Sequence, residues 1–189
     1  LTRSKILERE SQDVIDKFVE SEYKQLNRYK KVDMFGDPCK PPVGVKVLPW
    51  VWTYLYKEDL KTFVAEPKSR GTCDGGKRSG IVTLAETYAA CVDQTAHRLT
   101  WALSAALDLK CIGYDVGNAF IEAPWTGEDM FYMEVDVVFA NWWENCLGRE
   151  PIPVGYVIPI QHALQGHKLS PCIWDKYISK IIIDEMEFT

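Results

Sequence analysis

The sequence lacks an excess of positive charge, and it also lacks any long apolar run. Its 22 lysine and arginine residues are outnumbered by 27 aspartate and glutamate residues, which gives a formal net charge of −5. Any surface that binds nucleic acid must therefore be a local patch, because the chain as a whole carries no basic field. No segment approaches the ~20 apolar residues that cross a bilayer. The opening residues, LTRSKILERE, are charged and contain no signal-peptide core.

The cysteines lack the spacing of a metal or redox site. There are six of them, and no pair has the short separation that is typical of a zinc knuckle or a redox motif. Several lie in apolar segments, where a free thiol behaves as a small hydrophobic side chain. We therefore expect a reducing compartment and no disulfides. The chain begins with Leu1 and not with methionine, so we expect it to be a piece of a longer product.

Apolar and aromatic residues are abundant, and their spacing predicts the first elements. The chain is 47% hydrophobic, with seven tryptophans, which is enough to bury the core of one domain. Helical spacing of apolar residues predicts a helix from Ser11 to Lys31. After the proline- and glycine-rich GDPCKPPVG, the segment VKVLPWVWTYLY is rich in β-branched and aromatic residues and predicts a strand.

The middle of the chain predicts a hairpin and a second helix. The segment KEDLKTFVAEPKSRGTCDGGKRSG is interpreted as the far side of a long hairpin, with its bend at Gly75 and Gly76. Asp93 is predicted to cap the next helix, QTAHRLTWALSAALDL, in which Leu99 and Leu103 share one face.

The remaining elements do not alternate regularly. KCIGYDV predicts a short buried strand that ends near Asp115, and MFYMEVDVVF and GYVIPI are two further strand candidates. Ser170 and Pro171 predict the start of the last helix. Because helices and strands follow one another irregularly, the predicted fold class is α+β and not a doubly wound sheet.

Three short segments contain residues that suit phosphate or metal chemistry. Asp115 follows an apolar run and precedes a turn of small residues, so its carboxylate could bind Mg²⁺, although capping that turn is the commoner role of aspartate. Lys68, Arg70, Lys77 and Arg78 surround the proposed bend and could contact phosphates, although a solvated surface is the usual meaning of such a run.

The third segment is LQGHKLSPCIW. Gln165 can hydrogen-bond a ligand and Gly166 permits close approach of the backbone, while a plain turn into a capped helix is the simpler interpretation. The tryptophans of WVW and NWW could stack on bases, but core packing is the favoured role. His97, His162 and His167 have no ligand spacing.

Taken in order, these segments resemble the reverse transcriptase domain of copia-type LTR retrotransposons, part of a Pseudoviridae-like pol polyprotein. The matching blocks run from about the first helix to the last residue. They are VLPWVWTYLY, PKSRGTCDGG, TYAACVDQTAHRLTWALSAALDLKCIGYDVGNAFIEAP, FYMEV and HALQGHKLSPCIWDKYISKIIIDEMEFT. The resemblance implies the fingers and part of the palm of a right-hand polymerase. Residues 1–110 would form the N-terminal helix and fingers, and residues 111–189 a partial palm, with a fingers return segment around 140–170.

The resemblance also implies roles for individual residues. Asp115 is similar to the first metal-binding aspartate of the palm, and Val116 to the position whose carbonyl helps to hold metal. Phe120 resembles the aromatic steric gate against ribonucleotides. Lys68 and Arg70 resemble fingers residues that touch the incoming triphosphate. Gln165 and Gly166 resemble the pair that lines the nucleotide pocket.

The function implied is RNA-directed DNA polymerisation by two-metal nucleotidyl transfer, with Mg²⁺ or Mn²⁺. The implied partners are a template-primer, deoxynucleoside triphosphates and the rest of the polyprotein, without a membrane. The implied location is a cytoplasmic virus-like particle. The family's second metal motif, a pair of aspartates in a hairpin, does not occur before Thr189. The isolated chain is therefore predicted to be inactive.

Two alternatives stay open. One is a decayed or domesticated retroelement product that binds nucleic acid or protein. The other is an unrelated α+β binding domain. An open reading frame that continues to a paired-aspartate hairpin would favour the enzyme over decay.

Overall fold

The computed structural model describes residues 2–58, 63–76, 83–127 and 130–185. Within them, helices and strands mix in irregular order, which confirms the predicted α+β class. The elements are α1 (Arg3–Arg9), α2 (Gln12–Lys31), β1 (Val47–Leu48), β2 (Trp50–Glu58), β3 (Ala65–Cys73), α3 (Leu84–Thr87), α4 (Gln94–Ala106), α5 (Ala119–Glu122), β4 (Phe131–Glu134), α6 (Val137–Leu147), β5 (Val157–Ile160) and α7 (Ser170–Asp184). None of the described helices is both long enough and apolar enough to cross a membrane.

The central sheet has three strands in the order β1-β4-β5. Strand β4 pairs antiparallel with β5 and parallel with β1. The strand predicted over MFYMEVDVVF is only partly correct, because its second half is the start of α6. Asp136 causes the change, since its carboxylate accepts a hydrogen bond from the Phe139 N–H at 2.8 Å and so caps the helix. The strand predicted at GYVIPI is confirmed as β5.

The second sheet is the hairpin of β2 and β3, paired from Trp50 opposite Cys73 to Glu58 opposite Ala65. The long predicted strand is divided at Pro49, whose nitrogen carries no hydrogen for a ladder. The hairpin itself is confirmed, but the bend predicted at Gly75 and Gly76 is wrong. The strands are joined through residues 59–64, and the two glycines follow the end of β3.

Helix α2 covers the outer edge of β3. The backbone N–H of Ser69 donates to Ser21 Oγ at 2.9 Å, and the Tyr29 hydroxyl donates to the carbonyl of Gly71 at 2.7 Å. An edge strand exposes one row of backbone groups, and here side chains of the helix satisfy them. Burial raises the pKa of Tyr29 to about 12, so the hydroxyl keeps its proton and remains a donor.

The main hydrophobic cluster lies between the central sheet, α2 and α6. Its tryptophans confirm the prediction of core packing, because Trp142 is fully buried and Trp50 and Trp143 are nearly so. The cluster combines residues from both sides of position 110, such as Leu26 and Ile158. The proposed division into residues 1–110 and 111–189 stays a prediction.

The segment from α3 to Val116 lies apart from this core. Helix α4 begins after Asp93 as predicted, and the Asp93 carboxylate accepts hydrogen bonds from the N–H groups of Thr95 and Ala96. The buried strand predicted at KCIGYDV is wrong, since residues 110–116 form no strand and are exposed. No described strand pairs with this segment, and a strand without a hydrogen-bonded neighbour does not persist.

Candidate functional site

Asp115 and Val116 both lie in the exposed segment before α5. Among the described residues, no hydrogen bond to the Asp115 carboxylate is present, so the alternative role as a turn cap is not observed. The cap position of α5 belongs instead to Asn118, which adopts the left-handed conformation with φ of 59°. Asparagine tolerates that region better than most residues. The Asp115 carboxylate is thus accessible to an external cation.

Phe120 projects from α5 into a small cluster with α7. The cluster is centred on the buried Ala123, Ala163 and Ile173, and the partly buried Phe120 ring packs against it. The ring is therefore supported from behind by the protein, and part of it remains accessible. A residue that excludes a ligand group by its bulk requires such support.

Hydrogen bonds join the segment after Asp115 to the segment before Gln165. The Ala163 N–H donates to the Ala123 carbonyl at 2.9 Å, and the Trp125 N–H donates to the Gln161 carbonyl at 2.8 Å. The His162 ring is 2.7 Å from the Ile121 carbonyl, so its Nδ1 carries the proton and donates. These bonds fix the position of α5 relative to the Gln165 loop, which comprises residues 161–169 between β5 and α7.

The Gln165 loop continues the outer edge of β3. The Cys73 N–H donates to the Gln165 carbonyl at 3.0 Å. Gly166 has φ of +100°, and a Cβ built on it would lie 2.1 Å from the Cys73 carbonyl oxygen. A Cβ on Gly75 would lie 2.0 Å from the Gly166 carbonyl oxygen. Two glycines therefore allow two backbones to touch, while the Gln165 side chain stays exposed.

Lys68 and Arg70 lie on β3, at alternate positions with the buried Ser69 and Gly71. The side chains of Lys68 and Arg70 therefore share the face away from the core. Lys68 lies five residues before Cys73, which corresponds to roughly 16 Å along an extended strand. The Gln165 loop thus contacts the C-terminal end of β3, at Cys73, whereas Lys68 lies toward its N-terminal end. Lys77 and Arg78 lie outside the described residues.

The electrostatic environment of Lys68 is strongly basic. Burial lowers its pKa, and so does repulsion by Lys57, Arg70, Arg28 and Lys24. Lys24 and Arg28 belong to α2 and were not predicted as site residues, because that helix was interpreted from its apolar face. Their spacing of four residues, which places both on one side of a helix, is the signal that could have found them.

The histidines differ in environment. His167 is buried, with its ring stacked on Phe131 and in edge contact with Trp125, both at 4.7 Å between centroids. Burial lowers the pKa of His167 to about 4, with a further contribution from Lys168. Its Nδ1 accepts the Leu169 N–H at 3.2 Å, so the neutral ring helps to shape the turn after Gly166. This role is structural.

Among the residues that the structure describes, cysteines and acidic side chains form no metal-binding group with Asp115. All six cysteines are free, and burial raises the pKa of the Cys73 thiol to about 12, which keeps it protonated. Within the ranges that the structure describes, no three side chains of histidine, cysteine, aspartate or glutamate are grouped to hold a metal ion.

The chain matches no protein-family model, no curated protein and no solved structure.

Proposed function

We propose that the chain is a fragment of a copia-type RNA-directed DNA polymerase, with the fingers and part of the palm of a reverse transcriptase fold. The complete enzyme would perform two-metal nucleotidyl transfer on a primed template. The proposal rests on the ordered resemblance of the sequence blocks. It concerns the whole polymerase, to which this chain contributes only some of the required groups.

The observation that best supports the proposal is the meeting of three matched blocks. The block with Asp115 is joined through Ala123 to Ala163, two residues before Gln165. The block with Lys68 and Arg70 contains Cys73, whose N–H is hydrogen-bonded to the carbonyl of Gln165 itself. A nucleotide site needs metal-binding, phosphate-binding and base-side groups in one region, and these contacts link the backbones that carry all three.

The exposed side chains suit the roles implied by the resemblance. Arg70 can bind phosphate oxygens in a bidentate manner, and Lys68 supplies a compact charge. The Gln165 amide can donate to or accept from a ligand. Phe120, held from behind by α7, could exclude a 2′-hydroxyl. These groups position a triphosphate and neutralise its charge, which is the main contribution of protein to phosphoryl and nucleotidyl transfer.

The described residues fit only half of a two-metal site. The free Asp115 carboxylate and the Val116 carbonyl are oxygen donors of the kind that Mg²⁺ prefers. Bound divalent ions would activate the attacking hydroxyl and stabilise the leaving pyrophosphate. A second group of carboxylates would be needed to hold both ions, so we expect no primer extension by residues 1–189 alone.

Binding of a deoxynucleoside triphosphate with Mn²⁺ tests the proposal directly. Asp115→Asn should weaken metal-dependent binding about tenfold, the scale expected for one lost charged contact. Asp108→Asn is the matched control, because Asp108 is exposed in the same part of the chain and lies outside the proposed site. Titrations with Mn²⁺, followed by electron paramagnetic resonance or by water-proton relaxation, would measure the affinity of both variants. Equal affinities of the two variants would contradict the role of Asp115.

Discrimination between deoxynucleotides and ribonucleotides tests the gate. In the complete enzyme, Phe120→Ala should raise ribonucleotide incorporation relative to deoxynucleotide incorporation, whereas Arg70→Ala should raise KM for both. Unchanged discrimination in the first variant would refute the gate assignment. An unchanged KM in the second would refute the fingers assignment.

A further inference from the structure

A groove of about 260 Å³ lies between α2 and the β2–β3 hairpin. Lys24 and Arg28 line it from the helix, and Lys57 and Lys68 line it from the two strands. Two carboxylates, Glu58 and Glu66, also reach its wall at the hairpin end. The four cations outnumber the two anions, so the groove is locally positive in a chain whose net charge is −5.

The walls of the groove are held together by buried hydrogen bonds. Ser69 of β3 makes two of these bonds to α2. Its N–H donates to Ser21 Oγ at 2.9 Å, and its hydroxyl donates to the Phe18 carbonyl at 3.0 Å. Ser21 and Gln25 lie on the same helical stripe as Lys24 and Arg28, so the stripe faces β3. The backbone positions of the cations are therefore fixed before any ligand binds, which lowers the entropic cost of binding.

Within the part of the chain that the structure describes, the cations of the groove form no ion pairs. None of Lys24, Arg28, Lys57 and Lys68 lies within ion-pair distance of a carboxylate among the described residues, in contrast to Arg3, which pairs with Glu22. The lowered pKa of Lys68 has the repulsion of the other cations among its causes. An anion in the groove would relieve that repulsion.

The arrangement favours a strand of phosphates over a single anion. Lys24 and Arg28 are one helical turn apart, with Cβ atoms about 5–6 Å from each other, and Lys57 and Lys68 face them along the hairpin. The charges are thus divided between the helix wall and the hairpin wall of the groove. The volume of about 260 Å³ is below the roughly 300–1,000 Å³ of small-ligand sites, so the groove can accept at most one strand at a time.

We propose that the groove between α2 and the hairpin binds the phosphodiester backbone of a single-stranded nucleic acid. Lys24 and Arg28 would contact it from one side, and Lys57 and Lys68 from the other. The inference goes beyond the proposed polymerase function and does not depend on it. Lys68 is shared with the proposed nucleotide site, whereas Lys24, Arg28 and Lys57 have no part in that site. Binding in the groove requires neither a metal ion nor catalysis.

Salt-dependent binding to the purified chain tests the inference. The probe is a fluorescent single strand of about 12 nucleotides, a length within the usual site size for such proteins. Fluorescence anisotropy would be measured without divalent metal between about 50 mM and 200 mM salt. Four phosphate contacts predict a slope of log K against log salt of about −2.8, since each contact on a single strand contributes about 0.7.

Charge-neutral variants test whether the nucleic acid binds in the groove. The double variant Lys24→Gln/Arg28→Gln should reduce the slope by about 1.4 and weaken binding tenfold or more at the lowest salt. The matched control Lys17→Gln/Lys30→Gln removes the same charge from exposed positions of α2 that do not line the groove. The control should change affinity less than about twofold. Equal losses in the two double variants would show a general charge effect and overturn the proposal.

The opposite wall and the ligand class are tested separately. Lys57→Gln should reduce the slope by about 0.7, and no reduction would overturn the groove in favour of the helix surface alone. Inorganic triphosphate and poly-glutamate serve as competitors at equal total charge. Weak competition by both is expected, whereas displacement by either at the same total charge as the nucleic acid would overturn the phosphodiester assignment. Failure of primer extension would leave these outcomes unchanged, because the assay contains no metal.

Discussion

Two regions of similar apolar character differ in how far their side chains are buried. In the core around β4, β5 and α6, Met133, Ile158 and Trp142 are 0% exposed. In the segment from α4 to Val116, Trp101 is 55% exposed and Ile112 is 62% exposed. The first region consists of elements that pack on one another, whereas the second consists of a helix and an extended segment that lack such neighbours among the described residues.

The difference shows that periodicity predicts a helix without predicting its partner. Helix α2 is held by contacts with β3, including the bond from Tyr29 to the Gly71 carbonyl. Helix α4 is stabilised mainly by local interactions, of which the Asp93 cap is the clearest. Most helical stability in proteins comes from tertiary packing, so α4 should be far less stable than α2.

The largest expected effect is a difference in stability between two tryptophan variants, one from each region. Trp142→Ala should lower the free energy of unfolding by about 3–5 kcal/mol, because the ring is fully buried and packs on Phe35 and Phe139. Trp101→Ala should change it by about 0.5 kcal/mol or less, since that ring is exposed. Urea unfolding followed by circular dichroism measures both. Similar losses in the two variants would show that α4 packs on the rest of the protein.

A smaller effect should appear with pH in the buried region. The pKa of His167 falls from 6.5 to about 4 on folding because the ring is buried. The unfolded chain then binds the proton more readily, so the stabilisation is complete above pH 6.5 and is lost as the pH falls toward 4. The total loss is on the order of 3 kcal/mol.

His167→Phe isolates the pH-dependent contribution of His167 to stability, because phenylalanine keeps the aromatic packing and cannot be protonated. The difference in stability between the wild type and this variant should change between pH 6.5 and about 4. Urea unfolding at several pH values supplies the measurement. A difference that stays constant across that range would contradict the assignment of a neutral, buried ring.

The smallest effect is confined to α4. Asp93→Ala removes the acceptor for the N–H groups of Thr95 and Ala96, and amide exchange in α4 should become about fivefold faster. Exchange in β4 and β5 should not change. Asp93→Ser, which retains a capping oxygen, should restore most of the protection. Faster exchange throughout the core in Asp93→Ala would instead indicate that α4 and the core unfold together.

Much of the local structure could be predicted from the sequence. Asp93 and Pro171 mark helix starts by chemistry that acts within a few residues, and apolar spacing marks the helix that begins after Ser11. These starts are confirmed. The hairpin was also predictable, because β-branched and aromatic residues dominate β2. Its bend was not, because Gly75 lies in close backbone contact with Gly166, and no local pattern reveals that contact.

The errors share a physical cause. The strand predicted before Asp115 needed a hydrogen-bonded neighbour, and the strand predicted through Phe139 ended where Asp136 caps a helix. The roles of Asp115, Val116, Phe120, Lys68, Arg70, Gln165 and Gly166 remain predictions. The four-residue spacing of Lys24 and Arg28 places both on one side of α2, but their position beside Lys68 depends on the packing of α2 on β3, which no local pattern predicts.

The shortness of β1 has a consequence for how the chain folds. Val47 and Leu48 pair in parallel with Tyr132 and Met133, which lie far away along the chain. Two residues cannot hold such a pairing until β4 and β5 have joined, because closing a long loop costs entropy that few contacts offset. High contact order of this kind slows folding. We therefore expect the β2–β3 hairpin to form early and the docking of β1 to be a late step.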